Sequence, residues 1–216
     1  MSNIENEPGC KRPYDLGKRQ EASGRTRELV LEAARAQLES GGVRDLTMES
    51  LAKASGVTRQ TIHNLFGTKT AVLEALFDLI ASDAGMLRMR EVMTANDPER
   101  MLAAFVEVFT GFWAKDRLLL KRIHGIAAID PEFGQAVEAR NQRRKMAATR
   151  VVERLYATVP GVNDEEKVRK ISSLTALTSF EFFDVLVESS GSVEMAASGV
   201  SQLVRKAVEA EGRGGQ

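Results

Sequence analysis

The chain has 216 residues, of which 43% are hydrophobic and 28% charged, and its formal net charge at pH 7 is zero. This composition supports a sizeable core and excludes a chain that is disordered throughout. A net charge of zero gives no sign of a polyanionic partner. Residues 1–70 hold 11 Lys and Arg against 9 Asp and Glu, and this excess is too small to indicate one. A nucleic-acid target therefore has to be argued from local motifs.

The sequence provides no chemistry typical of an enzyme. The single cysteine, Cys10, excludes a disulfide framework within the chain and a cysteine metal site. With two histidines, no metal-ligand spacing, no phosphate-binding glycine loop and no nucleophile motif, we predict neither a catalytic role nor a cofactor. The N-terminus lacks a signal-peptide pattern, and no apolar run reaches about 18 residues. The expected location is cytoplasmic, without membrane contact.

Residues 1–23 combine prolines, glycines and many charges without an apolar period, which predicts a flexible basic arm. Its lysines and arginines could lie along DNA phosphates or be solvated, and the pattern leaves both open. The chain then divides into a smaller N-terminal domain over residues 24–70 and a larger helical domain over residues 71–216.

The segment 46–69 predicts two short helices that cross at a tight turn. A helix over about 26–40, ended by Gly41-Gly42, supplies the apolar surface on which they rest. Thr47 and Thr58 are expected to cap the two short helices, and Gly56 allows the turn between them a positive φ. Outward positions of the second short helix are hydrogen-bonding side chains, namely Thr58, Arg59, Gln60, Thr61, His63 and Asn64. This face is suited to reading DNA.

The remainder also shows helical periodicity, and the whole chain is expected to be all-α with about nine helices. A fourth helix should start at 68–70 and continue past Gly85 towards Met93. A nearly all-apolar helix over about 98–114 belongs in the middle of a bundle. Further helices are predicted over about 117–128, from Pro131 to near Pro160-Gly161, over 164–188, and from there to about Ala210. The run 140–145 (RNQRRK) favours a solvated helix face over a phosphate-binding patch.

The last two predicted helices carry wide stripes of small and apolar residues. Such stripes form either plain core or an isologous four-helix interface with a second copy of the chain. The pattern by itself slightly favours core.

Several of these residues together resemble the DNA-binding domain of TetR-family transcriptional regulators. The likeness covers about residues 26–75 and rests on the first helix with Gly41-Gly42, Leu46-Thr47, Leu51-Ala52, Ala54, Gly56-Val57-Thr58, Thr61-Ile62, Phe66, Lys69 and Leu73. It implies a dimer that binds a palindromic operator and pairs through the last two helices. It also implies that a small molecule releases a repressor from DNA. A structural nucleoid protein without ligand control is the alternative.

By this resemblance, Thr47 and Lys69 hold the DNA backbone and residues 58–61 enter the major groove. His63 stands where the family usually has a tyrosine that contacts phosphate, so this contact departs from the family pattern. The side-chain chemistry adds that Arg59 can grip guanine with two hydrogen bonds, while Gln60 suits adenine. Thr58 and Thr61 can touch the backbone or a thymine methyl.

The resemblance also implies a small-molecule pocket between the middle helices of the larger domain. The candidate lining residues are aromatic for the most part, although such residues at helical spacing are usually core: Phe105, Phe109, Phe112, Trp113, His124, Phe133, Met146, Phe180 and Phe183. Three acids within apolar runs, Glu107, Glu181 and Asp184, are costly to bury unless paired or functional. They could orient a polar ligand group or meet partners inside the protein.

Overall fold

The computed structural model describes residues 16–41, 45–157, 159 and 162–208. Within these ranges it is built from eleven α-helices and one 3-10 turn, with no strand, which confirms the all-α class. The helix number exceeds the expected nine because two of the predicted helices are interrupted. The predicted boundaries at Gly42, Pro160-Gly161 and Ala210, together with arm residues 1–15, lie outside the described part.

Three helices form the N-terminal head: α1 (Leu16–Glu39), α2 (Met48–Ser55) and α3 (Arg59–Phe66). Helix α1 begins ten residues before its predicted start near Thr26, so residues 16–23 are helical where a flexible arm was expected. Ala34 and Leu38 of α1 are fully buried together with Leu51 and Ile62 of the two short helices. Helix α1 thereby supplies the apolar support that the short helices need.

Local signals set the crossing of α2 and α3. The Thr47 hydroxyl accepts from the Ser50 amide at 3.0 Å, and the Thr58 hydroxyl accepts from the Thr61 amide at 3.1 Å. Both threonines are therefore N-caps, as predicted. Gly56 ends α2 with φ at +71°, in the left-handed region that a side chain with a Cβ enters only at a cost.

The larger bundle is built around α6, which contacts α5, α7, α8, α10 and α11 and is buried along most of its length, as its all-round apolar sequence predicts. None of the helices in the described ranges has the length and apolar character needed to span a bilayer. The elements are α4 (Lys69–Asp83), a 3-10 turn (Met86–Arg88), α5 (Met89–Val92), α6 (Pro98–Lys115), α7 (Arg117–Ile129), α8 (Pro131–Leu155), α9 (Asp164–Leu177), α10 (Phe180–Ser190) and α11 (Val193–Val208).

Two predicted helices are broken. Helix α4 ends at Asp83 rather than near Met93, because Gly85 takes a φ of +79° and starts the 3-10 turn. The helix predicted over 164–188 is in fact two, because the Ser179 hydroxyl accepts from the Phe182 amide at 3.2 Å and caps a new helix there. A hydroxyl side chain that competes with backbone hydrogen bonds explains the second break.

Ionic contacts attach the head to the bundle. Arg35 of α1 lies 3.1 Å from Asp116, which precedes α7, and Lys69 lies 3.6 Å from Asp130, which precedes α8. Arg122 of α7 donates to the carbonyls of Leu38 and Glu39 at the end of α1. These contacts link the head to α7 and to the start of α8.

Candidate DNA interface and effector cavity

Helix α3 presents a polar face to solvent. Thr58, Arg59, Gln60, His63 and Asn64 are exposed and Thr61 is half-buried. On the opposite side of α3 lies Ile62, which is fully buried against the head. The structure therefore brings the six residues proposed to face DNA onto one accessible surface.

Hydrogen bonds between its own side chains order part of this face. The hydroxyls of Thr58 and Thr61 are 2.8 Å apart, and the Gln60 side-chain amide donates to Asn64 Oδ1 at 2.9 Å. In the part of the chain that the structure describes, Arg59 takes part in no ion pair. Its guanidinium keeps its donors available for a base edge or a phosphate.

The two predicted backbone anchors differ in their surroundings. Thr47 is exposed at the N-terminus of α2, and its backbone amide donates to Ser50 Oγ at 2.9 Å, completing a capping box. Helix N-termini favour phosphate groups, and Thr47 can donate its hydroxyl hydrogen. The Lys69 side chain is 39% exposed and already faces Asp130 at 3.6 Å. A phosphate at this position would share Lys69 with that carboxylate.

A cavity of about 260 Å³ opens in the bundle between α4, the 3-10 turn, α5, α6 and α8. This volume is slightly below the range of about 300–1,000 Å³ that is typical of small-molecule sites. Its apolar lining comprises Phe77, Ala81, Met86, Met89, Phe109, Phe112, Trp113 and Ala147. Its polar lining comprises Asp78, Arg140, Asn141, Arg143 and Arg144.

The aromatic residues proposed to line a pocket fall into two groups. Phe109, Phe112 and Trp113 line the cavity, while Phe105, Phe133, Phe180, Phe183 and His124 are outside its lining. These five are packed in the bundle: Phe105, Phe133 and Phe183 are fully buried, and the His124 ring lies 4.5 Å from the Phe180 ring. Met146, named as a candidate for the pocket lining or the core, is 63% exposed and belongs to neither.

The interpretation of residues 140–145 as a solvated face is wrong for two arginines. Arg144 is only 7% exposed, and the Arg140 side chain binds Asp78 at 2.7 Å. A signal was present in the sequence, since position 144 is seven residues from both Val137 and Val151 and shares their buried face. The high charge of the run concealed this period.

The three acids within apolar runs behave differently. Glu107 is exposed, whereas Asp184 is buried and lies 2.6 Å from Arg117 and 3.0 Å from Lys121. Glu181 Oε1 lies 2.9 Å from His124 Nδ1. This hydrogen bond is the main reason that the pKa of Glu181 falls from 4.5 to about 2. Asp184 and Glu181 thus have partners inside the fold.

The Glu181 contact predicts a pH-dependent contribution to stability. Because the pKa is lowered on folding, the contribution is complete above the unfolded value of 4.5 and is lost as the pH falls towards about 2. The Glu181 side chain is 66% exposed, so solvent screens the pair and the expected effect of Glu181→Gln on Tm is a decrease of only about 1–3 °C at neutral pH.

Thermal unfolding of the wild type and Glu181→Gln between pH 6 and pH 3 checks this expectation. The difference in Tm should shrink as the pH falls. The exposed Glu153→Gln on α8 is the control and should show no such trend. A difference that is constant over the whole range would contradict the role of the ionised carboxylate.

The head, with α3 exposed on its surface, has the arrangement of a helix-turn-helix domain. Residues 30–76 match the family model described as "Bacterial regulatory proteins, tetR family". EthR of Mycobacterium tuberculosis, an HTH-type transcriptional regulator, is 34% identical over 90 residues, which are 40% of this chain and 42% of EthR. The family match thus lies in the helix-turn-helix head and the start of α4.

Solved structures extend the likeness to the whole fold. A TetR transcription regulator from Haloarcula marismortui has a TM-score of 0.66 at 16% identity, covering 86% of this chain and 97% of that protein. A putative transcriptional regulator from Saccharomonospora viridis, in complex with choline, has a TM-score of 0.64 at 16% identity and covers 84% and 96%. At these identities the likeness to the two solved structures concerns the fold alone. The match to EthR spans less than half of the length of EthR.

Proposed function

We propose that this protein is a sequence-specific transcriptional regulator, a repressor that binds a palindromic operator as a homodimer and is released by a small molecule. The observation that carries the proposal is the exposed polar face of α3 on a head that matches the TetR family. The proposal keeps residues 24–70 for DNA binding and residues 71–216 for the effector and dimerisation. It includes no catalytic activity, and a chromosomal target places the protein in the cytoplasm.

Specificity on DNA is assigned to two side chains of α3. Arg59 would donate two hydrogen bonds to guanine O6 and N7, and Gln60 would pair with adenine. Thr47 and Lys69 would contact phosphates, which contribute affinity without sequence information. His63 would donate to a phosphate where the family usually has a tyrosine.

A dimer is supported by an apolar surface on the last two helices. Val185 of α10 is 64% exposed, and Met195 and Leu203 of α11 are 62% and 40% exposed. Contiguous exposed apolar patches mark protein interfaces, and these three side chains lie on the two helices that are proposed to pair. Pairing α10 and α11 with their copies would form a four-helix interface and hold two α3 helices about 34–36 Å apart, one turn of DNA.

Release by a ligand is supported by the position of the cavity. Helix α4 contributes Phe77 and Asp78 to the cavity wall, and the same helix begins at Lys69, three residues after α3 ends. A molecule that fits the cavity better when the heads are displaced would lower DNA affinity, by a coupling that is typically about 1–3 kcal/mol. The Saccharomonospora viridis regulator binds the cation choline, but three arginines and one aspartate line the cavity here and disfavour a cation.

Selection of preferred sites from random DNA tests the proposal. The full chain should enrich one palindrome with half-sites about one turn apart. A nucleoid protein would enrich no site and would bind all sequences with similar affinity. The latter result would replace the proposed function by its alternative.

A further inference from the structure

Arg144 of α8 is a buried cation whose hydrogen-bond partners are all neutral. It is 7% exposed, and it donates to the carbonyl of Thr175, to Thr178 Oγ1 at 3.4 Å and to Asn141 Oδ1 at 3.3 Å. Its buried Nε has no hydrogen-bond partner. Among the described residues, no carboxylate oxygen lies within 4.0 Å of this guanidinium.

Such a charge is unfavourable in the free protein. Burial disfavours the ionised form and lowers the pKa of Arg144, while Glu181 and Glu138 act in the opposite direction from beyond ion-pair distance. Arginine nevertheless keeps its proton in proteins, so the positive charge remains. A nearby anion would offset the cost of burying this charge.

The cavity places Arg144 where an anion can reach it. Arg144 lines the cavity beside Asn141, and its guanidinium carbon is 6.0 Å from the centre of the Phe109 ring on the apolar wall. The other arginines differ from it. Arg140 is already paired with Asp78 at 2.7 Å and Glu74 at 3.6 Å, and Arg143 is exposed. Arg144 is the buried lining arginine whose charge lacks an ionic partner in the described structure.

We propose that the effector is a small apolar molecule carrying a carboxylate, with the apolar part against Phe109 and Trp113 and the carboxylate paired with Arg144. This inference rests on the proposed effector control and names the ligand class for the same cavity. A guanidinium and a carboxylate form two parallel charge-assisted hydrogen bonds, which neither an amide nor an ammonium group can reproduce. Most of the lining is aliphatic or aromatic, and this selects the apolar body of the ligand.

A structural role for Arg144 is the competing explanation. Its bond to the Thr175 carbonyl satisfies an acceptor near the end of α9, as basic side chains often do at helix C-termini. That role requires donors but no particular ligand. Selectivity among ligand head groups therefore separates the two explanations.

The experiment uses the full chain without DNA and isothermal titration calorimetry. The probes are carboxylates with straight tails of six to twelve carbons, together with the amide and the ammonium compound of the same tails. We expect the best carboxylate to bind about 10- to 100-fold more tightly than its amide, and the ammonium compound to bind more weakly than either.

Variants assign the selectivity to Arg144. In Arg144→Gln, which keeps amide donors and removes the charge, the preference for the carboxylate over the amide should disappear. Arg144→Lys keeps the charge and should retain part of the preference. The exposed Arg150→Gln on the same helix is outside the cavity lining and should behave as the wild type.

Equal affinity for carboxylate and amide, or failure of all the carboxylates to bind the wild type, would overturn the inference. A preference that persists in Arg144→Gln would overturn it as well. If Arg144→Gln does not fold, the comparison of head groups on the wild type and on Arg144→Lys still decides. These titrations contain no DNA. A negative result would therefore overturn the ligand class without affecting DNA-site selection, which tests the proposed function. A negative result of site selection would likewise leave the ligand titrations interpretable.

Discussion

Replacing Arg59 with alanine should relax base preference at one position in each half-site and weaken operator binding, with little change in affinity for random DNA. The guanidinium is exposed on α3 and forms no ion pair among the described residues, so its loss removes base contacts and breaks no described salt bridge. A bidentate contact discriminates by about 1–3 kcal/mol, which corresponds to a loss of about 5- to 150-fold per half-site. Fluorescence anisotropy on the selected operator and on random duplexes measures both affinities.

Lys69→Ala is the matched comparison. A phosphate contact carries no sequence information, so this variant should weaken operator and random DNA alike and flatten the dependence of affinity on salt. Its ion pair with Asp130 joins the head to the bundle, so far-UV circular dichroism should accompany the titrations. If Arg59→Ala loses the same affinity for the operator as for random DNA, Arg59 has no role in base recognition.

Introducing a charge at Val185 should convert the protein to a monomer and lower operator affinity by about 100-fold or more. Val185 is 64% exposed on α10. In a two-fold interface the substitution occurs in both subunits, so two unpaired carboxylates enter the apolar contact. A monomer reaches only one half-site, so it loses the gain from binding two linked sites, typically about 10²- to 10⁴-fold. Sedimentation equilibrium of Val185→Glu and anisotropy on the operator measure the two effects.

Met146→Glu provides the control for this surface. Met146 is 63% exposed on α8, so the same charge enters an equally exposed apolar position on another helix. This variant should remain dimeric and bind the operator as the wild type does. A dimeric Val185→Glu protein with unchanged operator affinity would rule out α10 and α11 as the dimer interface.

The structural path from the cavity to DNA is short. The cavity wall includes Phe77 on α4, which lies about two helical turns from Lys69 at the start of that helix. Arg140 of α8 binds Asp78 of α4 across the same wall, while Asp130 before α8 contacts Lys69. A molecule in the cavity that moves α4 relative to α8 would therefore disturb both the Arg140–Asp78 and the Lys69–Asp130 contact.

Sequence patterns alone were sufficient for the two short helices of the head, α2 and α3, although they missed the first ten residues of α1. Thr47 and Thr58 cap helices through hydrogen bonds to amides three residues away, and Gly56 turns the chain through its own φ. The buried positions Leu51 and Ile62 follow from helical spacing in the same short segment. These interactions span only a few residues, so a single sequence displays them completely.

The tertiary structure decided the larger domain. The sequence established all-α architecture and a central α6, but it placed Arg144 on a solvated face and made 164–188 one helix. Arg144 is buried because α9 covers it, and its partner Thr175 lies 31 residues further along the chain. The cavity likewise needs α4, α6 and α8 together. Local periodicity and capping determined the head, whereas the packing of distant helices determined which charge is buried and which space remains for a ligand.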